Sequence, residues 1–272
     1  MTTPLLTLTP DGWAMHLLLV AGGALAGFVN TLGGGGSFLT LPLLVLAGLD
    51  ASTANGTNRV AVLIQSAVAS LEFGRHGKLP PVRTLPLLVA PTLVGALVGA
   101  RIAVEIPEPM LRLVIGLVLL AAIPTVLAPE GRGRRGDGQH GLSGVAAGRR
   151  ARIMLLLFGC GIYGGFLQAG VGILLLAVLV PLVGLDLVHA NAVKVLLVAV
   201  FTALAIPVFA SAGQVDLIAG LVLAIGNVAG ALAATRLAVR GGARVVRWVV
   251  AAALILAAAG LLDLPERLGL GG

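Results

Sequence analysis

The chain has 272 residues, 58% of them hydrophobic and 11% charged, with a mean hydropathy of +1.07 and a formal net charge of +7. Soluble domains carry about 25% charged residues and cannot hide this much apolar surface in one core, so a water-soluble enzyme is excluded and no enzymatic activity is expected. Apolar runs of about 20 residues recur from end to end, long enough to cross a hydrocarbon core of about 30 Å, without the alternation a transmembrane β-barrel would need; the expected fold is an all-α polytopic membrane protein.

Residues 1–12 carry no positive segment and no small-residue cleavage site follows them, so the first span is expected to stay in the protein. Residues 12–49 then run for 38 positions without Asp, Glu, Lys or Arg, and residues 153–185 for 33. As single helices these would be about 57 and 50 Å long, far more than a bilayer needs. Glycine interrupts both: Gly33, Gly34, Gly35 and Gly36 in the first, Gly164, Gly165, Gly170 and Gly172 in the second, with Pro42 and Pro181 downstream. Each stretch reads as a full span followed by a short segment, broken where glycine weakens a helix. The other spans fall near 54–73, 84–104, 110–128, 190–211, 216–238 and 245–262, giving eight long and two short segments.

The organisation expected is a first transmembrane repeat over 1–128, a basic cytoplasmic linker over 129–152 and a second repeat over 153–272. Gly48-Leu49-Asp50 recurs as Gly184-Leu185-Asp186 and Ala54-Asn55 as Ala190-Asn191, at an offset of 136 that also sets Asn58 on Lys194 and Gly77 on Gly213. Gly95-Ala96-Leu97 with Arg101 matches Gly230-Ala231-Leu232 with Arg236 at 135. Basic turns change parity between the copies: Arg75, Lys78 and Arg83 follow the second long span, whereas Arg236, Arg240, Arg244 and Arg247 follow the next span in the second copy. Counting the short segments as crossings gives five per copy and inverted repeats, with every basic loop in the cytoplasm and both termini outside. The arginines beside apolar runs thus mark topology and not nucleic-acid binding.

Inverted repeats with glycine-broken segments at matching positions point to a transporter's central site, because a helix that restarts inside the bilayer offers unpaired N–H groups and a partial positive charge to an anion. Asn55, Thr57, Asn58 and Arg59 open the span after the first break, and Asn191 and Lys194 the span after the second; amides and cations three or four residues apart share a helix face and suit an oxyanion. Interfacial snorkelling of the two cations and capping or cross-span bonding by the asparagines are the competing readings. Asp50 and Asp186 are candidates for proton or cation coupling, against the commoner role of helix cap. His189 is a candidate titrating group, and Thr31 and Gln168 are candidates to line a cavity. The pairs Gly23/Gly27, Gly95/Gly99, Gly161/Gly165 and Gly226/Gly230 let helices pack closely and leave a homo-oligomer open. Cys160 is alone, no Cys or His pair has metal-ligand spacing, and no metal or cofactor is expected. Ser37, Ser66 and Ser70 lack the partners of a hydrolase, and the GRGRRG run from Gly131 follows no strand and reads as linker.

The stretch GFVNTLGGGGSFLTLPLLVLAGLDASTANGTNRVAV, with HGK soon after, and GIYGGFLQAGVGILLLAVLVPLVGLDLVHANAVKVLLV, followed by AGQVD, resemble the two blocks of the sulfite exporter TauE/SafE family of bacterial membrane transporters. The resemblance implies a multi-pass carrier in the bacterial plasma membrane for small sulfur-containing anions such as sulfite, thiosulfate or organosulfonates. It brings Gly33 to Gly36, Asn55, Thr57, Asn58, Gly170, Gly172, Asn191 and Lys194 to the site. The expected partners are a small anionic substrate and the lipid bilayer, with alternating access rocking one repeat against the other. Two alternatives stand beside this: a non-transporting membrane subunit that docks a partner through the basic linker, and a carrier of another small ion, with Asp50 and Asp186 as ligands of a cation.

Overall fold

A computed structural model describes residues 10–81, 85–127 and 147–240, and every regular element among them is helical. In chain order these are α1 (Pro10–Gly33), α2 (Ser37–Leu46), α3 (Ala51–Arg75), α4 (Leu85–Glu105), α5 (Glu108–Leu127), α6 (Ala147–Phe166), α7 (Val171–Val178) with a π-helical turn (Leu179–Val183), α8 (Leu187–Ser211) and α9 (Leu217–Arg240). The two long uncharged stretches break at 34–36 and at 167–170, each into a long helix and a short one. The expected span at 245–262 lies outside the described residues, as does most of 129–152; Arg149, Arg150 and Arg152 stand in the first turns of α6.

Among the described residues, α1, α4, α8 and α9 are long and apolar enough to cross a membrane. By contrast α3 carries Asn55, Asn58, Arg59 and Gln65, all with no exposed surface. Its polar face is turned inward, and the outer helices expose large apolar side chains: Leu17 on α1, Val94 on α4, Leu155 on α6 and Ile225 on α9. That inversion of a soluble protein's surface is what a lipid solvent demands.

Helix directions follow from the contacts at glycine. A Cβ on Gly23 would meet Leu223, on Gly27 Asn227, on Gly226 Val20 and on Gly230 Ala24, so α1 and α9 lie parallel and nearly touch by backbone. Gly95 meets Phe158, Gly99 Ile162, Gly161 Thr92 and Gly165 Ala96, so α4 and α6 are parallel in the same way. All four small-residue pairs are therefore used for packing within the chain. Helix α3 runs with α9, since Thr57 bonds Asp216 and Gln65 bonds Asn227. It runs against α8, with Arg59 stacked on Phe209 near one end and Phe73 clustered with Ala192 and Val195 near the other. Gln214, just past α8, reaches Val104 at the end of α4. Thus α1, α3 and α9 point one way, and α4, α6 and α8 the other. The short α2 doubles back along α1, Gly36 lying against Ala26 and Leu43 against Gly22.

The glycines with positive φ fall into three pairs, each 136 residues apart: Gly34 and Gly170, Gly48 and Gly184, Gly77 and Gly213. Asp50 and Asp186 are N-caps with nearly the same extended backbone. Packing, however, does not follow sequence halves. One apolar core joins α1, α2, α3 and α9 through Leu19, Leu44, Ala61 and Leu223. Another joins α4, α6, α7 and α8 through Ala96, Leu157, Leu175 and Phe201. Each bundle borrows its third long helix from the other half.

A side chain at the α1/α9 contact has no room, because a Cβ at Gly230 would lie 1.8 Å from the Ala24 carbonyl oxygen. Gly230→Ala is expected to lower stability by about 1–3 kcal/mol, read as a fall in thermal unfolding midpoint in detergent. Gly159→Ala, on α6 with nothing within 4 Å of its Cβ, is expected to leave the midpoint unchanged or raise it.

Candidate functional site

A helix that ends inside a bundle leaves carbonyls without partners, and the two breaks solve this with cations. Arg59 of α3 donates from Nη1 to the carbonyl of Gly164 at 3.1 Å and from Nη2 to those of Gly165 at 2.6 Å and Phe166 at 3.2 Å, closing the C-terminus of α6. Lys194 of α8 donates from Nζ to the carbonyls of Asn30 and Thr31, both at 2.9 Å, closing the C-terminus of α1, and to Asn191 Oδ1 at 2.7 Å. Each cation therefore crosses to a helix of the other sequence half and meets the negative end of its dipole. Arg59 also stacks on Phe209, its Cζ 4.2 Å from the ring centroid.

The offset of 136 sets Asn58 opposite Lys194, yet the residue that performs the equivalent task is Arg59. Positions 59 and 194 are 135 apart, as are the accepting carbonyls Asn30 and Gly165, and Thr31 and Phe166. Asn58 does something else: it accepts from Thr40 Oγ1 at 2.6 Å and donates to Ser37 Oγ at 3.1 Å, pinning the start of α2 to α3. Thr57 accepts from the backbone N–H of Asp216 at 2.8 Å and so ties α3 to the turn before α9. Asn55 donates to the Phe166 carbonyl at 2.8 Å, sharing it with Arg59.

The broken tips meet. Gly34, with φ of 83°, lies so close to Gly172 that a Cβ on either would fall within 2.5 Å of the other's Cα. Gly172 also lets the Lys194 side chain pass, with Cδ 3.1 Å from where its Cβ would stand. Gly170 receives the Phe38 ring, and Gly36 packs on Ala26. Gly33 closes α1 with open space beside it, and Gly35 touches only Phe38 and Ile173, so these two expected site glycines are not required by packing. Neither Gly36 nor Gly170 has a side chain to cap the helix it starts; instead the N–H groups of Phe38 and Leu39 donate to the Gly35 and Gly36 carbonyls in α2, and those of Val171 and Ile173 to the Gln168 and Gly170 carbonyls in α7.

Asp50 and Asp186 both cap helices. Asp50 accepts from the Thr53 N–H and hydroxyl, each at 2.8 Å. Asp186 accepts from the N–H groups of Val188 and His189, and its other oxygen is 2.5 Å from His189 Nδ1. Partial burial opposes ionisation of Asp186, but the bonds from His189 and Val188 outweigh it and hold the carboxyl below its ordinary range.

Two features escape a sequence reading. Glu108, the first residue of α5, accepts from the N–H groups of Ala51 and Ser52 and from the Ser52 hydroxyl, capping α3 from another helix. Thr31 and Gln168, placed beside the breaks by sequence, bond Gln65 and Thr202, in both cases across 34 residues. That repeated spacing of a polar pair is the signal that would have revealed Gln65 and Thr202. Gln168 itself has a φ of 66°, a strained backbone for a residue with a side chain.

The family profile described as "Sulfite exporter TauE/SafE" matches residues 19–261. A "Probable membrane transporter protein YfcA" of Escherichia coli strain K12 is 30% identical over 246 residues, covering 88% of this chain and 87% of that protein. "Probable membrane transporter protein ORF9" of a Sinorhizobium species is 29% identical over 238 residues, covering 86% and 88%. A "Probable membrane transporter protein" of Haemophilus influenzae is 24% identical over 240 residues, covering 86% and 89%.

The tip contact separates the glycines experimentally. Gly172→Ala is expected to lower the unfolding midpoint by an amount equivalent to about 1–3 kcal/mol, because both Gly34 and Lys194 must shift. Gly33→Ala is expected to stay within about 0.5 kcal/mol of the wild type.

Proposed function

The chain belongs to the sulfite exporter TauE/SafE family and is a membrane transporter, and from that premise we propose that it carries small sulfur-containing anions such as sulfite, thiosulfate or organosulfonates across the bacterial inner membrane. The observation that carries the anionic substrate is electrostatic. Arg59 and Lys194 are 0% and 2% exposed, and the buried residues described include no Asp or Glu. Isolated charge in low dielectric is costly, and the helix ends that meet these cations supply only about half a negative charge each. The N-termini of α2 and α7 add partial positive charge at the same breaks. A transported anion supplies the missing partner.

The transport cycle proposed rests on the packing. The bodies that move are α1–α3 with α9 and α4 with α6–α8, and not the first sequence repeat against the second, a reading supported by the close glycine contacts of α1 with α9 and of α4 with α6. Arg59 and Lys194 both bridge the two bodies, so each is released or re-engaged as the bodies swing. The halves are inverted copies, each entering from the opposite face, with eight long spans in all. The opposed directions of α1 and α6, the paired glycines 136 apart and the reciprocal cation clamps support this arrangement.

Counterflow of labelled sulfite into proteoliposomes, competed by thiosulfate, sulfoacetate, sulfate and chloride, tests the substrate class. Exchange is expected in the wild type, and a fall of at least about tenfold in Lys194→Gln, which keeps donors but removes the charge. Protein that is folded and exchanges no anion would sink the anion reading and favour a cation carrier or a docking subunit. Inversion is tested in a Cys160→Ala background with single cysteines at His76 and Ala212, which are 136 apart. A membrane-impermeant maleimide is expected to label one from each face; labelling of both from the same face overturns the inverted arrangement.

A further inference from the structure

The two cation sites are equivalent in position but differ in what they leave unsatisfied. An ammonium has three hydrogens, and Lys194 spends all three on Asn30, Thr31 and Asn191. A guanidinium has five, and Arg59 keeps its Nε–H without any partner although the residue is wholly buried. Two buried acceptors of the same cluster are also unpaired: Asn55 Oδ1 and Gln214 Oε1. Their orientation is fixed by their amide nitrogens. Asn55 Nδ2 donates to the Phe166 carbonyl that Arg59 also uses, and Gln214 Nε2 donates to the Val104 carbonyl at 3.5 Å, so the oxygen is the spare atom in both. The turn bearing Gln214 closes over this cluster: its carbonyl lies against Gly56, next to the Phe209 ring on which Arg59 stacks.

Resting on the carrier reading above, we propose that the ligand seat is the Arg59 end of the site, and that it is built for a monoanion carrying its own O–H or N–H donor: the oxyanion toward Arg59 Nε, the donor shared by Asn55 Oδ1 and Gln214 Oε1. Lys194 is then a clamp on α1 that contributes its charge to the site without contacting the ligand. An unpaired buried donor and two unpaired buried acceptors at this end of the fold are satisfied together by a ligand that both accepts and donates. A dianion without a proton to give would leave both amide oxygens unpaired and facing its charge. Sites that bury hydrogen-bonding groups reject analogues lacking the matching group more strongly than apolar pockets reject size. The seat is also asymmetric: 136 residues before Gln214 stands Lys78, which cannot accept a hydrogen bond.

The test compares 2-hydroxyethanesulfonate with propane-1-sulfonate, equal in charge and nearly equal in size but differing by one hydroxyl donor. Each competes against labelled sulfite counterflow in proteoliposomes of the wild type and of Gln214→Met, a substitution on the turn outside α8 that removes the acceptor at similar volume. The wild type is expected to prefer the hydroxyl compound by at least about tenfold in half-inhibitory concentration. In Gln214→Met that ratio is expected to shrink to about twofold or less. Equal competition in the wild type, or a ratio that survives in Gln214→Met, overturns the proposal. Sulfite exchange that neither sulfonate inhibits overturns the seat while leaving the carrier intact, and absence of any anion exchange overturns the carrier reading and the seat with it.

Discussion

A helix that ends inside a packed bundle must find partners for its last carbonyls where water is scarce, and everything around the two breaks follows from that requirement. The chain meets it by sending a long cationic side chain from the opposite sequence half to each broken end, Arg59 to α6 and Lys194 to α1. The same choice leaves each buried cation short of a full counter-charge. Carbonyl dipoles neutralise a full charge only in part, and the described interior has no carboxylate to complete the balance. On the carrier reading proposed above, structure and transport draw on one electrostatic imbalance.

Close backbone approach is the second constraint. With lipid tails as apolar as leucine, helices gain little by hiding apolar side chains from one another, so association depends on intimate van der Waals contact. Glycine rows on α1, α4, α6 and α9 provide it, and they pair α1 with α9 and α4 with α6 across the halves. The exchange has a mechanical consequence. The units joined by backbone contact differ from the repeats visible along the chain, and the cations that cap the breaks span the joint between those units.

Much of this was legible beforehand, for identifiable reasons. The interrupted helices were readable because a stretch of 38 residues without charge is too long for one span, and glycine marks where it gives way. Matching turns were readable because the Gly-Leu-Asp triplets repeat, and Gly48 and Gly184 do share a left-handed backbone while Asp50 and Asp186 share a capping role. The small-residue pairs were readable as packing faces, but not their partners. Within the site, register misled: alignment set Asn58 against Lys194, whereas the long side chain of Arg59, one position later, reaches the equivalent carbonyls. Of the glycine run, only Gly34 and Gly36 are held by close contact, which no property of four identical residues in sequence could distinguish.

The sequence by itself determined the solvent, the segment boundaries, the two breaks and the family, because these depend on composition, length and local backbone preference, which neighbours along the chain encode. Only the tertiary structure decided which helix meets which, that α9 joins the first bundle and α4 the second, and that Arg59 retains an unpaired N–H while Lys194 retains none. Those outcomes depend on which carbonyl, ring or amide arrives from more than a hundred residues away. A hydrogen bond is satisfied or left open by geometry across helices, and sequence spacing within one helix carries no record of it.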